Sequence, residues 1–207
     1  MLGKTAFILL AAGASRRMGR IKQLLPLQNE PALLFCLNRI RTAGIDEIIV
    51  VLGHDREKIM PFLADMPVAV AVNDAPLSQM ADSVQAGLAI LPSGVTGIMI
   101  GLADHPLVLP SSYRLLLEQH EHHPHQILMP THAGRGGHPT LFPAAIFSPG
   151  APIKPMNQII AEHQNNVLRL PVDDPGVCLD MDHFSDYQLL ASLAAQQNVD
   201  TRRPIIS

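Results

Sequence analysis

Small residues and cations share the stretch from Leu10 to Lys22, and that combination suits the holding of an anion. Ala11, Ala12, Gly13, Ala14 and Ser15 leave backbone N–H groups bare enough to approach a phosphate closely, with Leu10 at the mouth of the loop. Arg17 and Lys22 add charge where a polyphosphate would lie. The spacing is neither Gly-x-Gly-x-x-Gly nor Gly-x-x-x-x-Gly-Lys-Ser/Thr. Asp104 follows the apolar run Gly97–Leu102, and a carboxylate directly after a buried strand can hold a divalent cation against phosphate oxygens. Capping the next turn is its plainer use. Late in the chain stand Asp180, Asp182 and Asp186. Residues 180 and 182 share one face of an extended segment, whereas Asp186 falls in the first turn of a helix, where a cap suits it better. Mg²⁺ needs one or two protein carboxylates when phosphates and water supply the rest, so Asp104 and one late aspartate suffice, Asp182 being taken ahead of Asp180.

Two further segments carry polar groups of interest. Gly134-Arg135-Gly136-Gly137-His138-Pro139 lets backbone approach a ligand and sets His138 beside it. Gln79 to Ser83 opens a helix, whose N-terminus suits an anion, although Asp82 is an odd neighbour for a triphosphate. His120, His122, His123, His125, His132 and His138 fit no tetrahedral zinc spacing, and His120–His125 reads as a solvated connection between a helix and a strand. Cys36 falls on an apolar helix face and reads as a core residue, far from Cys178 in sequence.

Strands and helices alternate around these residues. The run from Phe7 to Leu10 is a buried strand, bounded by the small-residue loop. Pro31 starts a helix over 32–42, stopped by Gly44. The segments 47–52, 68–72, 97–102 and 127–129 read as strands, with helices from Asp55 to about 64, over 80–91 and from Pro110 through 119 between or after them. Residues 140–142, 167–170 and 177–179 are later strand candidates, and 184–195 is the last helix. This order predicts an α/β fold with one doubly wound, mostly parallel sheet, in which ligands sit beyond the carboxyl ends of the strands. Residues 1–195 read as one domain and 196–207 as a polar tail.

Composition narrows the function classes. A chain of 207 residues can sustain its own core, and a net charge of −3 gives no reason to expect a nucleic-acid partner. No apolar stretch reaches membrane-spanning length, and the run after Met1–Lys4 is too short for a signal peptide. The expectation is a reduced, cytoplasmic protein without a membrane partner.

The segment Leu10 to Lys22 matches L-A-A-G-x-S-x-R-M-G-x-x-K, and in this it resembles the MobA-like nucleotidyltransferases of the molybdenum-cofactor guanylyl- and cytidylyltransferase type. Gly101-Leu102-Ala103-Asp104-His105-Pro106 is similar to that family's G-L-A-D-Q-P, with His105 for Gln. Gly134 to Pro139 resembles G-x-x-G-H-P, Gln79 to Leu88 resembles G-M-x-x-S-L-x-x-G-L, and the late aspartates resemble D-I-D-T-P-E-D. The resemblance implies a Rossmann-like nucleotidyltransferase (GT-A-like) fold and Mg²⁺-dependent transfer of a nucleoside monophosphate from an NTP to a phosphorylated acceptor, with release of pyrophosphate. It implies that residues 10–15, Gln79 and Ser83 bind nucleotide, that Arg17 and Lys22 act on its phosphates, and that His105, Gly137 and His138 face the acceptor. Guanylyl-transferring relatives tend to read L-A-G-G and cytidylyl-transferring ones L-A-A-G, so Ala12 implies CTP. The acceptor implied is molybdenum-bound molybdopterin, feeding an enzyme of the xanthine dehydrogenase type. A sugar-1-phosphate or other small-acceptor nucleotidyltransferase and a non-catalytic nucleotide-binding chaperone of cofactor insertion are the alternatives.

Overall fold

The computed structural model describes residues 4–13, 18–75, 79–148 and 151–200. Its centre is β1 (Lys4–Ala11), which is buried from Ala6 onward. It lies between β4 (Ile48–Leu52) and β6 (Val95–Leu102), parallel to both, and β5 (Ala69–Val72) extends the parallel set at one edge. Beyond β6 comes β9 (Thr140–Pro143), antiparallel to β6 and to β7 (Ile127–His132). At the other edge β10 (Val167–Pro171) is parallel to β7, and β8 (Arg135–Gly136) folds back on β7. The central strands read as unbroken apolar runs because both faces of the sheet are covered. β2 (Pro26–Leu27) and β3 (Glu30–Pro31) form a small separate hairpin.

Alternate residues of the same strands enter opposite layers. Phe7, Leu9, Val50, Leu52 and Met99 pack with α1 (Ala32–Thr42), α2 (Arg56–Leu63) and α4 (Pro110–His122) through Leu37, Ile40, Ile59 and Leu116. Ile8, Leu10, Ile49, Val51 and Ile100 meet α3 (Met80–Ala89) and α5 (Met156–Glu162) through Val84 and Ile159. α3 approaches β1 so closely that a Cβ on Gly87 would stand 2.7 Å from Ile8 Cγ2. A third cluster, with Leu25, Leu27, Phe35, Leu107, Met181 and Leu190, ties α6 (Phe184–Asp200) to the hairpin and to α1. No described helix is long and apolar enough to cross a membrane.

Several elements depart from the sequence reading. Residues 177–179 are not a strand: Pro175–Cys178 is a 3₁₀ turn, and the buried Asp174 carboxylate accepts the Gly176 N–H at 2.9 Å. The strand at 127 runs to His132, and α6 continues past Ala195 to Asp200. Asp55 precedes α2 without capping it, its carboxylate meeting Lys58 Nζ at 3.0 Å. His120 is not solvated. It is buried on α4 against β6, where a Cβ on Gly97 would lie 2.6 Å from its Nε2.

Candidate active site

β1 and β6 end side by side, with Leu10 opposite Leu102, and the Ala103 N–H donates to the Leu10 carbonyl at 3.0 Å. This registry puts the small-residue loop and Asp104 at one edge of the sheet, the ligand edge of such folds. The start of the loop is braced from below. Gln23 is fully buried, and its Nε2 donates to the Ala11 carbonyl at 2.8 Å and to the Gly13 carbonyl at 3.2 Å. On the other side a methyl at Gly53 would come within 2.7 Å of the Ala12 carbonyl and 3.1 Å of the Ala12 methyl, so close packing there needs a glycine.

Lys22 heads the 3₁₀ turn Lys22–Leu24 and reaches into the same edge. Its Nζ lies 2.5 Å from Asp104 Oδ2 and 3.6 Å from Asp182 Oδ1. The Lys22 and Asp104 side chains are 12% and 19% exposed, Asp182 45%, so one carboxylate forms the floor and the other the rim. Buried Met181 anchors the late segment in the third cluster, and Asp180 points to solvent. Asp186 is a cap: its Oδ2 accepts the N–H groups of Asp182 at 3.2 Å and His183 at 2.7 Å. Asp82 does the same work at α3, accepting the Gln79 N–H at 2.7 Å, which accounts for an acid beside the cleft.

These elements bound an open cleft of about 210 Å³, lined by Ala12, Gly13, Lys22, Gln79, Ser83 and Asp104 among others. A second cleft of about 560 Å³ adjoins it across Gln79 and Met80 and is lined by Gly137, His138, Thr140 and Met156. The His138 ring meets the buried ring of His105 edge to face, with centroids 4.9 Å apart. Burial and the neighbouring His105 push His138 down to about 4. Burial lowers His105 as well, against the pull of Asp104, so both rings are held neutral. Gly137 docks its loop by backbone alone. A Cβ there would lie 2.4 Å from the Val177 carbonyl, and the next N–H, that of His138, donates to that carbonyl at 2.8 Å.

The structure thus gathers Leu10, Ala12, Gly13, Lys22, Gln79, Ser83 and Asp104 around one cleft, with Ala11 at the strand end and Asp182 at the rim. Gly137 and His138 line the other cleft, whereas buried His105 lines neither and packs against the His138 ring. Ala14, Ser15 and Arg17 lie outside the described residues. Sequence reasoning missed Gln23, Asn73 and Asp174. Asp174 accepts from the Leu109 N–H, Ser112 Oγ and Gly176 N–H, which fastens the Pro175–Cys178 turn to the start of α4.

A hard divalent cation fits this edge. Among the described residues Asp104 Oδ1 is buried without a hydrogen-bond partner, while Oδ2 is engaged by Lys22, so the carboxylate has one oxygen to offer. Among the described residues no three His, Cys, Asp or Glu side chains form a metal cluster, so a cation here would take two carboxylates at most and draw the rest from ligand oxygens and water.

A Rossmann-like sheet carrying a small-residue loop, a lysine and an acid at its carboxyl edge is the framework of a nucleotidyltransferase. The MobA-like NTP transferase domain matches residues 7–158, and the chain belongs to that family. The bifunctional protein GlmU of Mycolicibacterium paratuberculosis is 36% identical over 115 residues, 51% of this chain and 23% of that protein. The chain therefore spans about a quarter of the length of the curated relatives it matches. Rv0371c of Mycobacterium tuberculosis H37Rv superposes with a TM-score of 0.79 at 27% identity, covering 93% of this chain and 99% of that one. That protein also has a structure in complex with manganese, at a TM-score of 0.76, 27% identity and coverage of 93% and 100%. A nucleotidyl transferase from Methanothermobacter shares the fold, with a TM-score of 0.78 at 22% identity and coverage of 93% and 98%.

Proposed function

We propose that the protein transfers CMP from CTP to a phosphorylated acceptor of the molybdopterin type and releases pyrophosphate. The observation that carries this reading is the placement of Lys22 between Asp104 and Asp182 at the edge where β1 and β6 end. A pure binder has no need of a lysine and two acids converging under a phosphate loop. Asp104 and Asp182 would hold Mg²⁺, which when bound supplies charge neutralisation at phosphate oxygens. Lys22 turns from its carboxylates toward the α-phosphate, where charge grows during transfer. The loop amides through Ser15, with Arg17, hold the β- and γ-phosphates. The acceptor's phosphate is already an anionic nucleophile, so no protein base is needed and the work is positioning and charge. Gly137 and His138 orient the acceptor from the second cleft, with His105 backing the His138 ring, and the neutral imidazoles do so without adding charge. Support for CTP comes from Ala12, whose methyl takes up room beside the base.

Thermal shift with CTP, GTP, ATP and UTP, each with and without Mg²⁺, followed by pyrophosphate release with acceptor, tests this reading. The largest Mg²⁺-dependent stabilisation is expected with CTP, and pyrophosphate only when acceptor is present. Nucleotide binding with no pyrophosphate release from either molybdopterin-type or sugar-phosphate acceptors would contradict the assignment.

A further inference from the structure

Asp174 is a buried acid that the proposed transfer does not use, and its partners belong to two separate parts of the site. It stands shortly after β10 and is 1% exposed. A buried carboxylate is costly unless donors meet its oxygens. Here Oδ2 accepts the Leu109 N–H at 2.8 Å and Ser112 Oγ at 2.7 Å, which ties it to the first turn of α4. Oδ1 accepts the Gly176 N–H at 2.9 Å, which closes the Pro175–Cys178 turn.

The two ties lead to different working parts. α4 follows the connection that carries Asp104 and His105. That connection has other anchors: the Ala103 N–H bond to Leu10, and Arg39 Nη1, which donates to the Leu107 carbonyl at 2.9 Å and the Val108 carbonyl at 3.2 Å. The turn, in contrast, supports the acceptor side. Its Val177 carbonyl accepts the His138 N–H, and Cys178 Sγ reaches the Arg135 carbonyl at 3.6 Å. It meets both neighbours by backbone. A Cβ on Gly176 would stand 2.4 Å from the Leu107 carbonyl oxygen, just as one on Gly137 would from that of Val177. Contacts this close leave little slack.

We infer that Asp174 is a positioning residue for the acceptor: through the Pro175–Cys178 turn it sets where the Gly137–His138 wall of the second cleft stands relative to Asp104. This rests on reading the second cleft as the acceptor site. The acceptor's phosphate must meet the α-phosphate in line, and a displacement of about 1 Å can cost about 10²-fold in rate. Because Arg39 and β6 hold the Asp104 connection independently, loss of Asp174 falls on the turn and so on the acceptor, not on the nucleotide.

Steady-state kinetics of the full chain with CTP, Mg²⁺ and molybdenum-bound molybdopterin, beside isothermal titration with CTP and Mg²⁺ alone, tests the inference through Asp174→Asn. The shapes match, but an amide has one accepting oxygen and sets an N–H donor against the Gly176 or the Leu109 N–H. The acceptor KM should rise about 10-fold, while the dissociation constant for CTP stays within about twofold of the wild type. Ser112→Ala removes one of the three donors and should raise the acceptor KM about 2- to 3-fold; it decides the matter alone if Asp174→Asn does not fold. Hydrogen exchange reads the same link without acceptor. In both variants the amides of 135–138 should exchange faster and those of β1 should not. An acceptor KM or a 135–138 exchange rate unmoved in a folded variant overturns the inference while the second cleft stays the acceptor site. So does a fall in kcat and in the number of CTP sites together at an unchanged KM, the mark of a merely structural role. A wild type that binds CTP but transfers to no acceptor overturns that reading and the inference together.

Discussion

Lys22 is engaged by two carboxylates in the free protein, yet the proposed transfer needs it at a phosphate. Its two roles predict different outcomes for Lys22→Ala. Turnover should fall by about 10²- to 10³-fold, because the lost charge acts on the transition state. The melting temperature should move little, because the fold rests on three apolar clusters in which Lys22 takes no part. Steady-state kinetics beside a melting curve checks this, and wild-type kcat in a folded Lys22→Ala protein would remove Lys22 from the mechanism. The acids separate in the same way. Asp104→Asn and Asp182→Asn should each abolish metal-dependent turnover. Asp186→Asn should retain most of it, since an amide oxygen can still accept the N–H groups of Asp182 and His183. Equal losses at 182 and 186 would contradict the division. Lys22, Asp104 and Asp182 were legible because each sits in a motif or directly after an apolar run. Gln23, Asn73 and Asp174 were not, since a single amide or acid has no periodic signature and acquires its partners only through tertiary contacts.

Elements were legible where burial writes a pattern. The strands of the parallel half, buried on both faces, read as apolar runs, and α1 and α4 followed from their prolines and apolar spacing. The failures are equally physical. Val177 and Cys178 look like strand, but Pro175 and the Asp174 side chain turn the chain first. β2 and β3 have two residues each, too few to show a period. His120 lay in a histidine-rich stretch that composition assigns to water, whereas its place on α4 turns it inward. Burial lowers His120 from its ordinary value of 6.5, so the folded protein refuses a proton that the unfolded chain accepts. Stability should then fall as pH drops below about 6.5, and the buried rings of His105 and His138 act in the same direction. Urea unfolding across this range should show a shallower pH dependence for His120→Leu than for the wild type. An unchanged slope would mean that His120 titrates alike in both states.

At the scale of the molecule, the sheet is mostly parallel as the alternation of elements implied, but β9 and β8 run against it. Nothing local in Thr140–Pro143 marks its direction. It is set by insertion between β6 and β7, which contribute residues far apart in sequence. That insertion brings the Gly137–His138 loop beside Asp104 and His105, and so sets the second cleft against the first. The third cluster closes the arrangement from below, holding Met181, and with it Asp182, against the segment that follows Lys22. Three distant stretches thus converge on one edge, where the proposed transfer needs them to hold a metal-bound nucleotide. A crystal of the protein with CTP and Mn²⁺, with the metal located by its anomalous signal, decides this. A manganese ion is expected at coordination distance, about 2.1 Å, from carboxylate oxygens of both Asp104 and Asp182, with triphosphate oxygens completing its shell. Bound nucleotide whose metal touches neither carboxylate would contradict it.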